Sequence, residues 1–168
     1  MNEVKDLHVE DSFTDRVLSS FKKHKRNKNN LEDDLGVTST HNGIQTKNTL
    51  ELDDFLEDDD FQDALKVLLA TAKLITGEEL VIFWSHFVQY NRGGFQDRHR
   101  HDHNEDYSCI FYLNTCKAGE TYFSDLDLSF SPKKGRFLIF PSSFRHESKE
   151  TTSWFIKKKV LVLGLRKP

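Results

Sequence analysis

The sequence predicts a mainly β protein of the α+β class, an antiparallel sandwich or barrel with helices packed on one face. Two observations carry this. From residue 80 onward, short runs rich in β-branched and aromatic residues follow one another closely, with no helical pattern between them. Before residue 80, apolar residues recur at helical spacing instead. The 168 residues, with 14 Phe and 2 Trp, suffice for one packed core. One domain over residues 1–168 is expected, with a helical and irregular part over 1–79 and a β core over 80–168.

The elements follow in order. Asp11-Ser12 suits a helix start ahead of Phe13, Val17 and Phe21, which share a face. The basic tract KKHKRNKNN, residues 22–30, reads as a solvated helix end and loop. Residues 31–50 are polar, with Gly36 and Asn42-Gly43 as turn signals, so a loop or irregular strands are expected. Asp58, Asp59 and Asp60 suit the positive end of a helix dipole. Phe61, Leu65, Leu68, Ala72 and Ile75 then share a helical face, and Gly77 is a natural stop. The strand-like runs are LVIFWSHFVQY, YSCIFYLN, ETYFSD, LSFS, RFLIFP and KKKVLVLGL, broken by turn residues.

Composition excludes several function classes. The charges nearly cancel, 24 Lys+Arg against 27 Asp+Glu, which argues against a nucleic-acid partner that wants a basic surplus. No apolar stretch of signal-peptide or membrane-spanning length occurs, so no membrane partner is expected. Cys109 and Cys116 lack CxxC spacing and are expected to pack as small apolar residues. A cytoplasmic protein is the expectation these features give together.

The histidines cluster. Of 8 His, five lie between His86 and His146, three of them in the run HRHDH. On a strand, His99 and His101 point to one side, and both imidazoles can reach one ion; His103 continues that face. His146 follows a separate strand and the turn Pro141-Ser142-Ser143, so a third ligand arrives from a distant segment. Asp102 points to the opposite face. Imidazole suits iron, zinc, copper and nickel alike.

The segment Tyr90-Asn-Arg-Gly93-Gly-Phe-Gln-Asp-Arg-His99-Arg-His101, then YSCIFYLN, AGETYF and PKKGRFLIFPSSFRH, resembles the iron- and 2-oxoglutarate-dependent oxygenases, above all their prolyl-hydroxylase-like and small bacterial or phage-type members. The resemblance covers about residues 80–165. It implies a double-stranded β-helix (jelly roll), with Fe(II), 2-oxoglutarate as small-molecule cosubstrate, and O2. It implies oxidative decarboxylation to succinate coupled to hydroxylation of an unidentified substrate. The resemblance makes His99, His101 and His146 the metal ligands. His101 stands where the family carries a carboxylate, and a slip to His103 and Glu105 would restore one. For the far carboxylate of 2-oxoglutarate the family uses a cation on the strand after the distal His; Lys159 is the choice here, with Arg166 second. Tyr90 and Tyr112 are candidate hydroxyl donors to the cosubstrate.

The metal motif also resembles that of the cupins, where Gly93, His99, His101 and Glu105 match one conserved spacing and Gly135, Pro141 and His146 most of the other. That resemblance implies an isomerase or a dioxygenase without cosubstrate, with Glu105 as a ligand. A non-catalytic β-barrel binding protein is the third reading.

Overall fold

A computed structural model describes residues 1–35, 38–101 and 104–168. Gly36, Asp102 and His103 lie outside the described residues. The strands are β1 (Lys5–His8), β2 (Thr40–Gln45), β3 (Val81–His99), β4 (Tyr107–Tyr112), β5 (Thr121–Phe123), β6 (Leu128–Phe130), β7 (Arg136–Pro141), β8 (His146–Ser148) and β9 (Lys158–Arg166). The helices are α1 (Asp11–His24), α2 (Asp53–Leu56) and α3 (Asp59–Thr76).

The strands form one antiparallel sheet in the order β1-β7-β4-β9-β3-β8-β5-β6, with β2 added against β3. β3 is far longer than the run 80–90 that reads as a strand in the sequence. Its first half pairs with β9 from Val81 to Tyr90, and its end pairs with β8 at Gln96 and His99. Between these halves Gly93 adopts φ 76°, a left-handed conformation that favours glycine. The sheet therefore curls over on itself. Phe123 of β5 meets Phe140 of β7 with ring centroids 4.7 Å apart, although several strands separate them in sheet order. This closure is the double-stranded β-helix.

Strands β3, β4, β7 and β9 are buried on both sides, and their residues divide by parity. Phe87, Cys109, Phe111, Phe137, Ile139, Leu161, Leu163 and Leu165 face the helices. Val88, Tyr90, Ile110, Tyr112, Leu138, Phe140 and Val160 face into the curl. Against the outer face lie Phe13, Val17 and Phe21 of α1 and Phe61, Leu65, Leu68 and Ala72 of α3. The faces expected from helical spacing are the faces buried.

The helix ends refine the sequence reading. The cap of α1 is Glu10 rather than Asp11 or Ser12; Ser12 and Thr14 hydroxyls donate to Glu10 at 3.0 Å each. Asp58 caps α3, its Oδ1 accepting from the Phe61 N–H at 3.2 Å, and Gly77 ends it at φ 70°. The other Asp58 oxygen lies 2.7 Å from His24 Nε2. That bond overturns part of the solvated-tract expectation: His24 is buried, because the end of α1 must dock on the start of α3. No helix among the described residues is long and apolar enough to cross a membrane.

Phe87 stacks on Phe21 at 4.8 Å and contacts Phe55 and Phe61, joining β3 to all three helices. Phe87→Ala should destabilise the fold by about 3–5 kcal/mol, read as a lower urea midpoint with an unchanged m-value.

Candidate active site

The end of β3 and the start of β8 pair directly, His99 opposite His146. His101 lies beyond the end of β3, not on a strand as expected. Its backbone N–H donates to Ser142 O at 2.8 Å, which fixes the segment against the turn leading to β8. The three imidazoles meet: ring centroids are 4.7 Å apart for His99–His101, 4.3 Å for His99–His146 and 5.4 Å for His101–His146. One nitrogen from each lies within 4.8 Å of the others.

Their tautomers follow from their partners. His99 Nδ1 lies 2.7 Å from Asp97 O, and His146 Nδ1 lies 3.0 Å from Phe144 O. A carbonyl oxygen can only accept, so both Nδ1 atoms carry the proton and both Nε2 atoms keep a lone pair. His101 Nδ1 lies 3.4 Å from Glu105 Oε1, another acceptor when ionised. Burial, and then the neighbouring His99, push the ordinary imidazole pKa of His101 and His146 down to about 3. Burial lowers that of His99 as well. The cluster is therefore neutral near pH 7, the state in which imidazole ligates a cation. A set of neutral, convergent, pre-oriented nitrogen donors fits a divalent transition metal.

Glu105 sits behind this cluster rather than in it. Its carboxylate accepts from the Trp84 indole N–H and, at 3.1 Å, from the Ser108 hydroxyl. Burial pushes its pKa up to about 7. The cupin-type expectation of Glu105 as a converging ligand is thus corrected: among the described residues, the group of atoms close enough to share an ion is His99, His101 and His146.

From the cluster a pocket of about 310 Å³ runs along the inner face of the curl. Trp84 and His86 line it beside His101, and Tyr90, Ile110, Val160, Val162 and Lys158 are also among its lining residues. Lys158, 1% exposed, donates to Gly119 O and Ser148 Oγ, each at 2.7 Å. Its ammonium also lies 4.7 Å from the Tyr90 ring centroid. Burial pushes the Lys158 pKa down to about 7.

Three of the candidates for contacting the cosubstrate, Lys159, Tyr112 and Arg166, are not among the pocket's lining residues. Lys159 does not line the pocket; it shares the helix-side parity of Leu161 and Leu163, and its Nζ donates to Lys157 O at 3.2 Å. Because β9 is apolar on both faces, alternation in the sequence cannot say which face holds the pocket. Tyr112 is buried beneath the pocket wall, with its hydroxyl bonded to Thr121. Tyr90 does line the pocket, its hydroxyl donating to Gln96 Oε1 at 3.4 Å. Arg166 lies away from it, over the Phe83 ring at 4.4 Å. Sequence reasoning missed Lys158 and Trp84; His86 also lines the pocket, stacked on Trp84 at 4.9 Å. The signal available was that Lys158 shares parity with the β-branched Val160 and Val162, opposite the leucines.

Fold and site together define a class: double-stranded β-helix proteins with a candidate metal pocket inside the curl. The chain belongs to the 2OG-Fe(II) oxygenase superfamily, whose family model matches residues 75–163. It is accordingly a 2-oxoglutarate-dependent oxygenase, an oxidoreductase using Fe(II), 2-oxoglutarate and O2. Solved structures share its fold. The viral collagen prolyl hydroxylase of Paramecium bursaria Chlorella virus-1, in its 2-oxoglutarate complex, aligns with TM-score 0.67 at 16% identity, covering 98% of this chain and 96% of that one. A Trichoplax adhaerens prolyl hydroxylase, bound to a peptide of the hypoxia inducible factor, aligns with TM-score 0.72 at 13% identity over 98% and 84%. The epimerase SnoN of nogalamycin biosynthesis aligns with TM-score 0.77 at 8% identity over 99% and 78%. No curated protein matches the sequence at a significant level.

The imidazole shifts set a sign for acid behaviour. The unfolded chain protonates these histidines near pH 6.5, whereas folded His101 and His146 resist protonation down to about 3. Stability of the metal-free protein should therefore fall as pH drops from 6.5 toward 4. In NMR titrations the His146 ring signals should show no imidazole protonation between pH 5 and 8; protonation there would contradict the neutral cluster.

Proposed function

We propose that this oxygenase hydroxylates its substrate at Fe(II) held by Nε2 of His99, His101 and His146. In this reading the far carboxylate of 2-oxoglutarate pairs with Lys158. The observation that carries the reading is the trio of imidazoles whose Nδ1 atoms face acceptors, so that three lone pairs converge. Bound Fe(II) supplies the redox centre at which 2-oxoglutarate is decarboxylated to succinate and one oxygen atom of O2 is delivered to a C–H bond.

The chain's own residues do the rest. The backbone carbonyls of Asp97 and Phe144 hold two rings at fixed tilt. Ile110, Val160 and Val162 keep a dry wall along the pocket, which strengthens electrostatics inside it. Support for Lys158 comes from strand geometry. Its Nζ donates to Ser148, two residues beyond His146 on β8. One such step is about 6.5 Å, comparable to the reach of an extended five-carbon diacid. Trp84 and His86 form a side wall of aromatic rings beside His101.

The deciding assay supplies Fe(II), ascorbate, O2 and 2-oxoglutarate and measures succinate. Slow uncoupled turnover is expected without substrate, lost in His146→Ala. A protein that neither turns over nor binds 2-oxoglutarate would remove this reading.

Lys158 gives a second test. With its pKa near 7 in the empty pocket, the amine is charged below that pH and must take up a proton to bind an anion above it. Affinity for 2-oxoglutarate should thus decline between about pH 7.5 and 9, by up to tenfold per unit. Calorimetry in two buffers of different ionisation enthalpy should report proton uptake at pH 8. Lys158→Met should lose the pH dependence and about tenfold or more in affinity, while Lys159→Met should leave both unchanged.

A further inference from the structure

We propose that Glu105 is the positioning residue of the metal site: it orients His101 from behind and fixes which of its nitrogens faces the ion. This rests on the reading of His99, His101 and His146 as ligands and goes one layer beyond it.

The three imidazoles are not held alike. His99 and His146 each have a backbone carbonyl two residues back, Asp97 O and Phe144 O, as acceptor for Nδ1. These are local contacts that the chain makes within its own turn. Among the hydrogen-bond partners and ion pairs described for His101, its Nδ1 meets a side chain instead, Glu105 Oε1 at 3.4 Å. His101 also lies past the end of β3, so no strand pairing sets its ring plane. Ser142 O holds its backbone, and the side chain facing its Nδ1 is Glu105.

Glu105 in turn is fixed by a small built network. The indole N–H of Trp84 holds one carboxylate oxygen, and the Ser108 hydroxyl holds the other. Ser108 Oγ also lies 3.1 Å from Ser142 Oγ, on the turn whose carbonyl accepts from the His101 N–H. These two donors hold the buried carboxylate with Oε1 3.4 Å from His101 Nδ1. The backbone makes room for this arrangement at one place. A Cβ at Gly164 would run into the Trp84 indole and the Glu105 carboxylate together. β9 thus carries its glycine where the Trp84–Glu105 pair lies across the strand.

An acceptor behind a metal-bound imidazole fixes its tautomer and raises its basicity, and losing such a partner commonly costs 10–100-fold in metal affinity. The test is Mn(II) titration of the whole protein, followed by calorimetry, with Co(II) absorption as a spectroscopic reporter. Glu105→Gln should raise the Mn(II) Kd about 10–100-fold. The Co(II) spectrum should keep its band shape and intensity, since the ligand set is unchanged. Gly164→Ala, which displaces the pair while leaving the carboxylate in the chain, should weaken Mn(II) binding in the same direction. A purely structural role would lower the metal-free melting temperature and leave the Kd alone. Two results overturn the proposal: Kd values within about twofold of the unsubstituted protein in both variants, or a Co(II) spectrum that changes class in Glu105→Gln, which would make Glu105 a ligand itself. His146→Ala separates the levels. If it abolishes Mn(II) binding while the Glu105 and Gly164 variants bind normally, the positioning role fails and the ligand set stands. If His146→Ala binds Mn(II) normally, the ligand set fails and the positioning role with it.

Discussion

A sheet buried on both faces is the constraint from which the rest of this structure follows. β3, β4, β7 and β9 carry α1 and α3 on one side and enclose a pocket on the other. Water reaches little of either face, so each polar side chain on these strands needs a partner within the protein. The pairing of polar groups inside the curl is therefore dense. Lys158 has a carbonyl and a hydroxyl, Glu105 an indole and a hydroxyl, and two histidines have a backbone carbonyl each. The leucines and phenylalanines of the outer face hold the sheet to the helices and leave the inner face free to carry chemistry.

The same constraint sets what was legible in the sequence. Helix faces were readable because α1 and α3 are amphipathic, one side solvated; Phe13, Val17 and Phe21, or Phe61, Leu65 and Leu68, could point only one way. The β core was readable as a series of strands but not as a length. The end of β3 from Asn91 to His99 is polar and carries two glycines, so it looks like a loop, yet it is held by β2 and β8. β1 and β8 were not visible at all, being four and three residues long, too short for a period to show. The convergence of His99, His101 and His146 was expected from their order along the chain, and the structure brings them together. The lysine that lines the pocket is Lys158, one residue before the Lys159 that was expected. In KKKVLVLGL either parity is apolar, so the choice between Lys158 and Lys159 turns on which face the helices take, and that is decided by tertiary packing. Glu105 was visible as a spacing match to a ligand; its place behind His101 depends on a contact with Trp84, 21 residues away.

Burial also explains how the pocket is prepared for its ligands. Desolvation disfavours charge, so it keeps the imidazoles neutral and available to a cation, and it brings the Lys158 amine close to neutrality. The first effect favours a cation, whereas the second means that Lys158 takes up a proton when it pairs with an anion. A cation gains three lone pairs that need not first lose protons. An anion meets an amine whose protonated form is expensive alone but stabilised by a carboxylate. The pocket thus carries the imidazole cluster and the Lys158 amine a step of β8 apart, a placement consistent with the proposed metal and anion sites.

Formal charge gives Glu105 a further reason to be where it is. Three neutral imidazoles bring no charge to a metal dication. In the proposed site the 2-oxoglutarate dianion would cancel that dication, and a protonated Lys158 would leave one positive charge over in a low-dielectric enclosure, where uncompensated charge is costly. In the proposed site the Glu105 carboxylate, when ionised, offsets part of that charge through the ring of His101 rather than by touching the ion. A carboxylate held one layer back leaves the coordination positions on the pocket side open while still offsetting the charge. On the proposed ligand set, an imidazole at position 101 leaves the negative charge behind the ring, on Glu105, rather than on a ligand atom.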